Sequence, residues 1–78
     1  MRKMFLNTSE LRAGDRIKMH GATILIEDQP NTYIGYGGRT VYSWPNLPII
    51  EGEIDMFPWM RTWTVQGNEL ATWFVERD

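Results

Sequence analysis

Two runs of strict alternation constrain this chain more than any other feature. From Asp15 onward, Ile17 and Met19 face one way while Arg16, Lys18 and His20 face the other. Gly21 permits a sharp reversal or a bulge, and Ala22, Ile24 and Ile26 then share one face against Thr23 and Leu25. Near the end, Trp63 and Val65 oppose Thr62, Thr64 and Gln66; Ala71, Trp73 and Val75 oppose Thr72, Phe74 and Glu76. A period of two, rich in β-branched and aromatic residues, is the signature of half-buried strands. Each run reads as a hairpin, the second turning through Gly67-Asn68-Glu69-Leu70. No stretch carries an amphipathic helix of useful length.

The intervening chain fits the same class. Residues 1–7 form a short arm in which Met4, Phe5 and Leu6 pair as an edge strand or lie over the core. Thr8 or Ser9 caps one helical turn, which Gly14 ends. Asp28-Gln29-Pro30-Asn31-Thr32 is a turn, because proline fixes φ and Asp and Asn bond their own backbone. A further hairpin runs from Thr32 to Tyr36, turns at Gly37-Gly38 and returns from Arg39 to Trp44. Pro45 and Pro48 stop that strand, since neither donates to a ladder. Residues 45–60 then read as an irregular, acidic, proline-containing surface loop, with a short strand at Pro48–Glu51. The expectation is a single all-β domain over residues 1–78, an SH3-like small β-barrel of five to seven short antiparallel strands.

At 78 residues the chain sits near the lower limit of about 70–80 residues at which one core suffices without staples. It has no cysteine, so the core depends on large side chains: four Trp, three Tyr and three Phe. The missing cysteine suits a reducing cytosol. The start MRKMFLNTSEL lacks the apolar run of a signal peptide, and no stretch approaches a membrane span of about 18 apolar residues. A soluble, cytoplasmic protein is expected, with no membrane partner.

Charge is uneven. Residues 1–20 hold five basic and two acidic side chains, and the remainder three basic and eight acidic, for a net charge of −2. A net acidic domain is a poor general nucleic-acid binder, because phosphate neutralisation supplies most of that affinity. The basic start leaves one local exception: Arg12, Arg16, Lys18 and Arg39 could line a stripe beside tyrosines that stack bases.

The segment Leu11-Arg12-Ala13-Gly14-Asp15-Arg16-Ile17 resembles the opening motif of small barrels and Hint-type β domains. The resemblance implies that Leu11 plugs the barrel end, Gly14 supplies a permissive φ, and Asp15 bonds nearby backbone N–H groups. With HGATILIED and the closing WTVQGNELATW, the chain also resembles small orphan proteins of bacteriophages that infect actinobacteria. That resemblance implies binding to a host or phage protein and carries over no site residue.

No catalytic set is apparent. His20 is the only histidine, and Ser9 and Ser43 are the only serines, neither in a nucleophile-elbow context. No residue pattern implies a metal or cofactor. Glu51, Glu53 and Asp55 alternate, so an extended backbone points all three one way. That arrangement suits a solvated acidic loop, a basic peptide or Arg patch, or Ca²⁺. Pro45-Asn46-Leu47-Pro48 has PxxP spacing, although Trp44 and Ile49-Ile50 beside it suit a segment crossing its own barrel. Trp63 and Trp73 are expected in the core. A domain this small cannot bury every aromatic, and exposed ones beside carboxylates would form an SH3-type peptide groove. The expectation is therefore a non-enzymatic protein-binding module acting through Tyr36, Trp44, Glu51, Glu53, Asp55 and Trp59. Two other classes stay open: nucleic-acid binding, and a virion or homo-oligomer building block using exposed edges.

Overall fold

The structure, a computed structural model, describes all 78 residues. Seven strands carry the chain: β1 (Arg2–Asn7), β2 (Arg16–Met19), β3 (Ala22–Leu25), β4 (Asn31–Ile34), β5 (Thr40–Gly52), β6 (Thr62–Asn68) and β7 (Thr72–Arg77). Two short 3-10 turns, Thr8–Glu10 and Tyr36–Gly38, are the only helical segments. All pairings are antiparallel, in the order β1-β7-β2-β3-β5-β4, with β6 on the other side of β5. The sheet curls into a half-barrel. Its concave face buries Leu11, Ile17, Ala22, Ile24, Ile26, Trp44, Leu47, Ile54, Val65 and Val75. No helix is long and apolar enough to cross a membrane.

The first alternating run forms the expected hairpin. Met19 pairs with Ala22 across a two-residue turn in which His20 (φ 52) and Gly21 (φ 84) both have positive φ. That signature fits the right-handed twist of the flanking strands. The second run does not form a hairpin. β6 pairs only with β5, whereas β7 lies between β1 and β2. The turn between them is a corner: Asn68 Oδ1 accepts from the N–H groups of Leu70 (2.9 Å) and Ala71 (3.1 Å), and the chain passes from one half of the sheet to the other. Alternation fixes which residues face inward, and both strands satisfy it without being partners.

β5 makes that second half possible. Residues 40–44 pair with β4 on one side and β6 on the other, and residues 49–52 pair with β3. Between them the register slips at Pro45-Asn46, a bulge with Asn46 at φ 54. The prolines therefore do not end the strand. Pro45 sits in the bulge, and Pro48 faces Thr62 beside Ile49, whose N–H makes the cross-strand bond to Arg61 O (3.1 Å). Residues 45–52 continue β5 rather than opening an irregular loop, which is confined to residues 53–61.

The seam facing β6 is closed by side chains. Thr8 is buried; its Oγ1 accepts from Trp73 Nε1 (2.8 Å), and its backbone N–H donates to Ala71 O (3.0 Å). Gly67 belongs there because a Cβ would lie 3.1 Å from both Ala71 Cβ and Trp73 Cζ2. Thr8 is thus a seam residue. The turn it begins is flanked instead by Asn7, whose N–H donates to Glu10 Oε1 (2.9 Å).

The LRAGDRI segment behaves as its chemistry implies and adds one partner. Leu11 is buried, Gly14 has φ 94, and Asp15 Oδ2 accepts from Arg12 N–H (3.0 Å). Arg77 clamps the same carboxylate with two bonds of 2.8 Å, Nε to Oδ1 and a terminal nitrogen to Oδ2. Burial pushes the Asp15 carboxyl up, but the bonds from Arg77 and the Arg12 N–H outweigh it. They hold the group below its ordinary value of 3.8.

Candidate functional site

The expected site residues separate into three places. Trp44 is 2% exposed, lies in the core, and donates from Nε1 to Asp28 O (2.8 Å). It is no contact residue, because β5 runs straight through it and turns its indole inward with Tyr42, on which it stacks. Trp63 and Trp73, expected in the core, are half-buried and pack against its rim. Tyr36 is fully exposed at the Thr40 end of the β5–β6 ladder. Trp59 is exposed at the Pro48 end, so the ladder keeps the two apart.

Glu51, Glu53 and Asp55 do not form one acidic face. Gly52 (φ 72) interrupts their alternation, and Glu51 is drawn to Lys18 Nζ at 3.5 Å. The three form no group able to hold a metal ion. Two of the four residues of the basic stripe are also occupied. Arg16 pairs with Asp78 (2.8 Å), and Lys18 with buried Glu76 (3.0 Å). The Glu76 bond raises the Lys18 ammonium above its ordinary pKa, more than burial lowers it. Arg12 and Arg39 are exposed and form no ion pair.

What the structure does assemble is an aromatic cluster around Trp59. Phe57 meets Trp59 edge-on at 5.8 Å between ring centroids and Trp63 at 6.3 Å; His20 meets Trp63 edge-on at 6.0 Å. Trp63 comes from β6, His20 from the β2–β3 turn, and Phe57 and Trp59 from the segment after β5. That segment is held in shape by successive turns: Phe57 N–H donates to Ile54 O and Met60 N–H to Phe57 O, both at 3.1 Å. Ile54, buried in the core, anchors it.

Two glycines let the segment approach the β2–β3 turn. A Cβ on Gly21 would fall 2.8 Å from Asp55 Oδ1, and one on Gly52 would fall 2.4 Å from Gly21 O. Asp55 N–H then donates to His20 O at 2.8 Å. Between the two turns lies an open cleft of about 320 Å³, lined by His20, Ile54, Asp55, Met56, Phe57 and Trp63. A second, of about 250 Å³, lies along the Met60 side of Trp63.

Met56 stands out within this segment. It is 84% exposed and has φ 70, a conformation that costs a non-glycine residue about 1–2 kcal/mol. Only Trp59 and Asp55 of this cluster belong to the residues singled out from sequence. Phe57 and Met56 lay in a stretch without periodicity, and Trp63 read as core by alternation alone. His20 was legible as exposed, but its neighbours come from distant segments.

A second apolar surface surrounds β4. All four of its residues are exposed, Ile34 at 70%, and the strand carries no charge. Gly35 N–H donates to Arg39 O (2.7 Å), so Tyr33 and Asn31 continue the bonded positions of that ladder. Thr32 and Ile34 turn their N–H and C=O groups outward. Compared with known proteins, the chain matches no family model, no curated protein and no solved structure.

Proposed function

We propose that the chain is a non-enzymatic protein-binding module whose working surface is the cluster of His20, Phe57, Trp59 and Trp63. One observation carries this reading: Trp59, 67% exposed, continues into a connected aromatic face on a hydrogen-bonded turn frame. Aromatics and methionine are the enriched residues of interface centres, and a pre-shaped frame loses little entropy on binding. The imidazole of His20 lies against an indole and makes no hydrogen bond to a carboxylate or nucleophile, which supports a non-enzymatic role.

Charge supports protein over nucleic acid, since Arg16 and Lys18 are already matched by Asp78, Glu76 and Glu51. The shape analogy is to an SH3-type groove, with aromatics beside carboxylates on a curled sheet. The resemblance of HGATILIED and WTVQGNELATW to phage orphan proteins favours a host or phage protein as the partner class in this reading. A building-block role has one specific observation in its favour, the uncharged outer edge of β4, which lacks the lysines and prolines that ordinarily block strand addition.

The test is affinity capture with the wild type beside a Phe57→Ala/Trp59→Ala double variant. Both side chains are exposed, so the variant retains its fold, checked by circular dichroism. A protein held by the wild type and lost by the folded variant supports the reading. Equal capture by both sinks it. Concentration-dependent sedimentation that Ile34→Lys abolishes moves the assignment to a self-pairing role.

A further inference from the structure

We infer that the cleft between the His20–Gly21 turn and the Ile54–Phe57 turn receives a cationic side chain, arginine or lysine, from the partner protein. The inference rests on the protein-binding reading above and names what that surface recognises. Three of the six lining residues are aromatic, and one is a carboxylate. Aromatic rings present negative faces to a cation, and a carboxylate at the mouth fixes its position.

Trp63 packs against Phe57 at 6.3 Å and 37° and against His20 edge-on at 6.0 Å, so the three rings line the cleft as one continuous aromatic surface. Buried Ile54 makes an apolar floor, and exposed Met56 supplies a flexible rim for the methylene stem of a long basic side chain.

The charge balance around the cleft is what selects a cation over a neutral anchor. Asp55 and Glu53 make no ion pair and no side-chain hydrogen bond within the molecule. The neighbouring Lys18 is held by Glu76 and Glu51, and Arg61, which lies outside the cleft lining, donates to Trp59 O at 3.5 Å. The Asp55 carboxylate lies over Gly21, where the absent Cβ leaves it room. Its backbone N–H donates to His20 O, which places the residue beside the cleft, and its exposed carboxylate has no partner within the molecule. An aromatic cleft with an unpaired acid at its mouth is complementary to a positive charge.

The chain carries its own internal controls. The indole N–H groups of Trp44 and Trp73 donate inside the protein, to Asp28 O and Thr8 Oγ1, whereas those of Trp59 and Trp63 have no acceptor. Four indole signals in a ¹H–¹⁵N spectrum of the full chain therefore separate the cleft-lining Trp63 and its neighbour Trp59 from the internally bonded Trp44 and Trp73. The probe is a glycine-flanked hexapeptide with a single arginine, beside peptides carrying citrulline or leucine at the same position.

The expected result is that the arginine peptide shifts the Trp63 and Trp59 indoles and leaves those of Trp44 and Trp73 unmoved. Asp55→Asn weakens that binding about tenfold, and the neutral citrulline peptide binds correspondingly more weakly. Backbone dispersion in the same spectra shows whether the variant is folded. Equal shifts from arginine and citrulline, with no effect of Asp55→Asn, overturn the cationic assignment and leave the aromatic surface standing. If no peptide moves either indole, the cationic assignment also falls, and the capture experiment decides the wider reading by itself.

Discussion

Replacing Met56 by glycine should make the protein more stable and a poorer binder. At φ 70 the methionine sits where an L residue loses about 1–2 kcal/mol to contact between its Cβ and backbone. Glycine removes that cost but adds about 0.5–1 kcal/mol of chain entropy to be lost on folding. The side chain is 84% exposed, so deleting it forfeits only about 0.3 kcal/mol of burial. The balance favours the variant by about 0.5 kcal/mol, or about 2–4 °C in melting temperature for a domain of this size. Calorimetry and urea titration at neutral pH measure it directly. The same variant should lose affinity for the arginine peptide, because the rim of the cleft is gone. A lower melting temperature would refute the strain assignment. Unchanged peptide affinity would remove Met56 from the site.

Two further substitutions test the frame. Asp15 is held below its ordinary pKa by Arg77 and the Arg12 N–H, so its stabilisation is present above about pH 4 and fades as pH falls through the folded value. Asp15→Asn should therefore cost about 2–3 kcal/mol at pH 7, the partial exposure of Arg77 limiting the loss, and progressively less below pH 4. An unchanged wild-type-to-variant gap in urea midpoint between pH 5 and pH 2 would contradict this. Trp44→Phe should cost about 1–3 kcal/mol through the unmatched Asp28 carbonyl and the vacated volume, whereas Trp59→Phe should stay within about 0.5 kcal/mol. Equal losses in urea unfolding would restore Trp44 to the surface.

The inward apolar faces of this fold were legible from alternation, although Thr23 and Glu76 on the opposite faces are buried as well. Ile17, Ile24, Ile26, Val65 and Val75 are all buried as their spacing requires. The reversal at Gly21 and the bond from Asp15 to nearby backbone were also readable, because both depend on residues close in sequence, whereas the Arg77 clamp was not. Partnership was not readable. Alternation says which side of a strand is apolar and nothing about its neighbour, so β6 and β7 passed for a hairpin although an Asx turn sends them to different halves of the sheet. Prolines at 45 and 48 suggested a strand end, but a bulge absorbs the first and the second pairs opposite Thr62. Trp44 was misplaced for that reason: read as the last residue before a loop, it belongs to the interior of a long strand. The candidate site was legible only at Trp59 and Asp55. His20, Phe57 and Trp63 meet because two glycines let segments some thirty residues apart touch, a contact with no local signal.

The pairing of β1 with β7 also bears on the order in which the chain can fold. β1 has no other partner, and Arg2 lies opposite Arg77, so the first strand stays unpaired until the last is in place. During synthesis Met4, Phe5 and Leu6 emerge early and wait for almost the whole domain to follow. Closing so long a loop is slow, and a waiting apolar strand is open to rival pairings. The basic pair Arg2 and Lys3 at its head repels a second copy of the same strand while it waits.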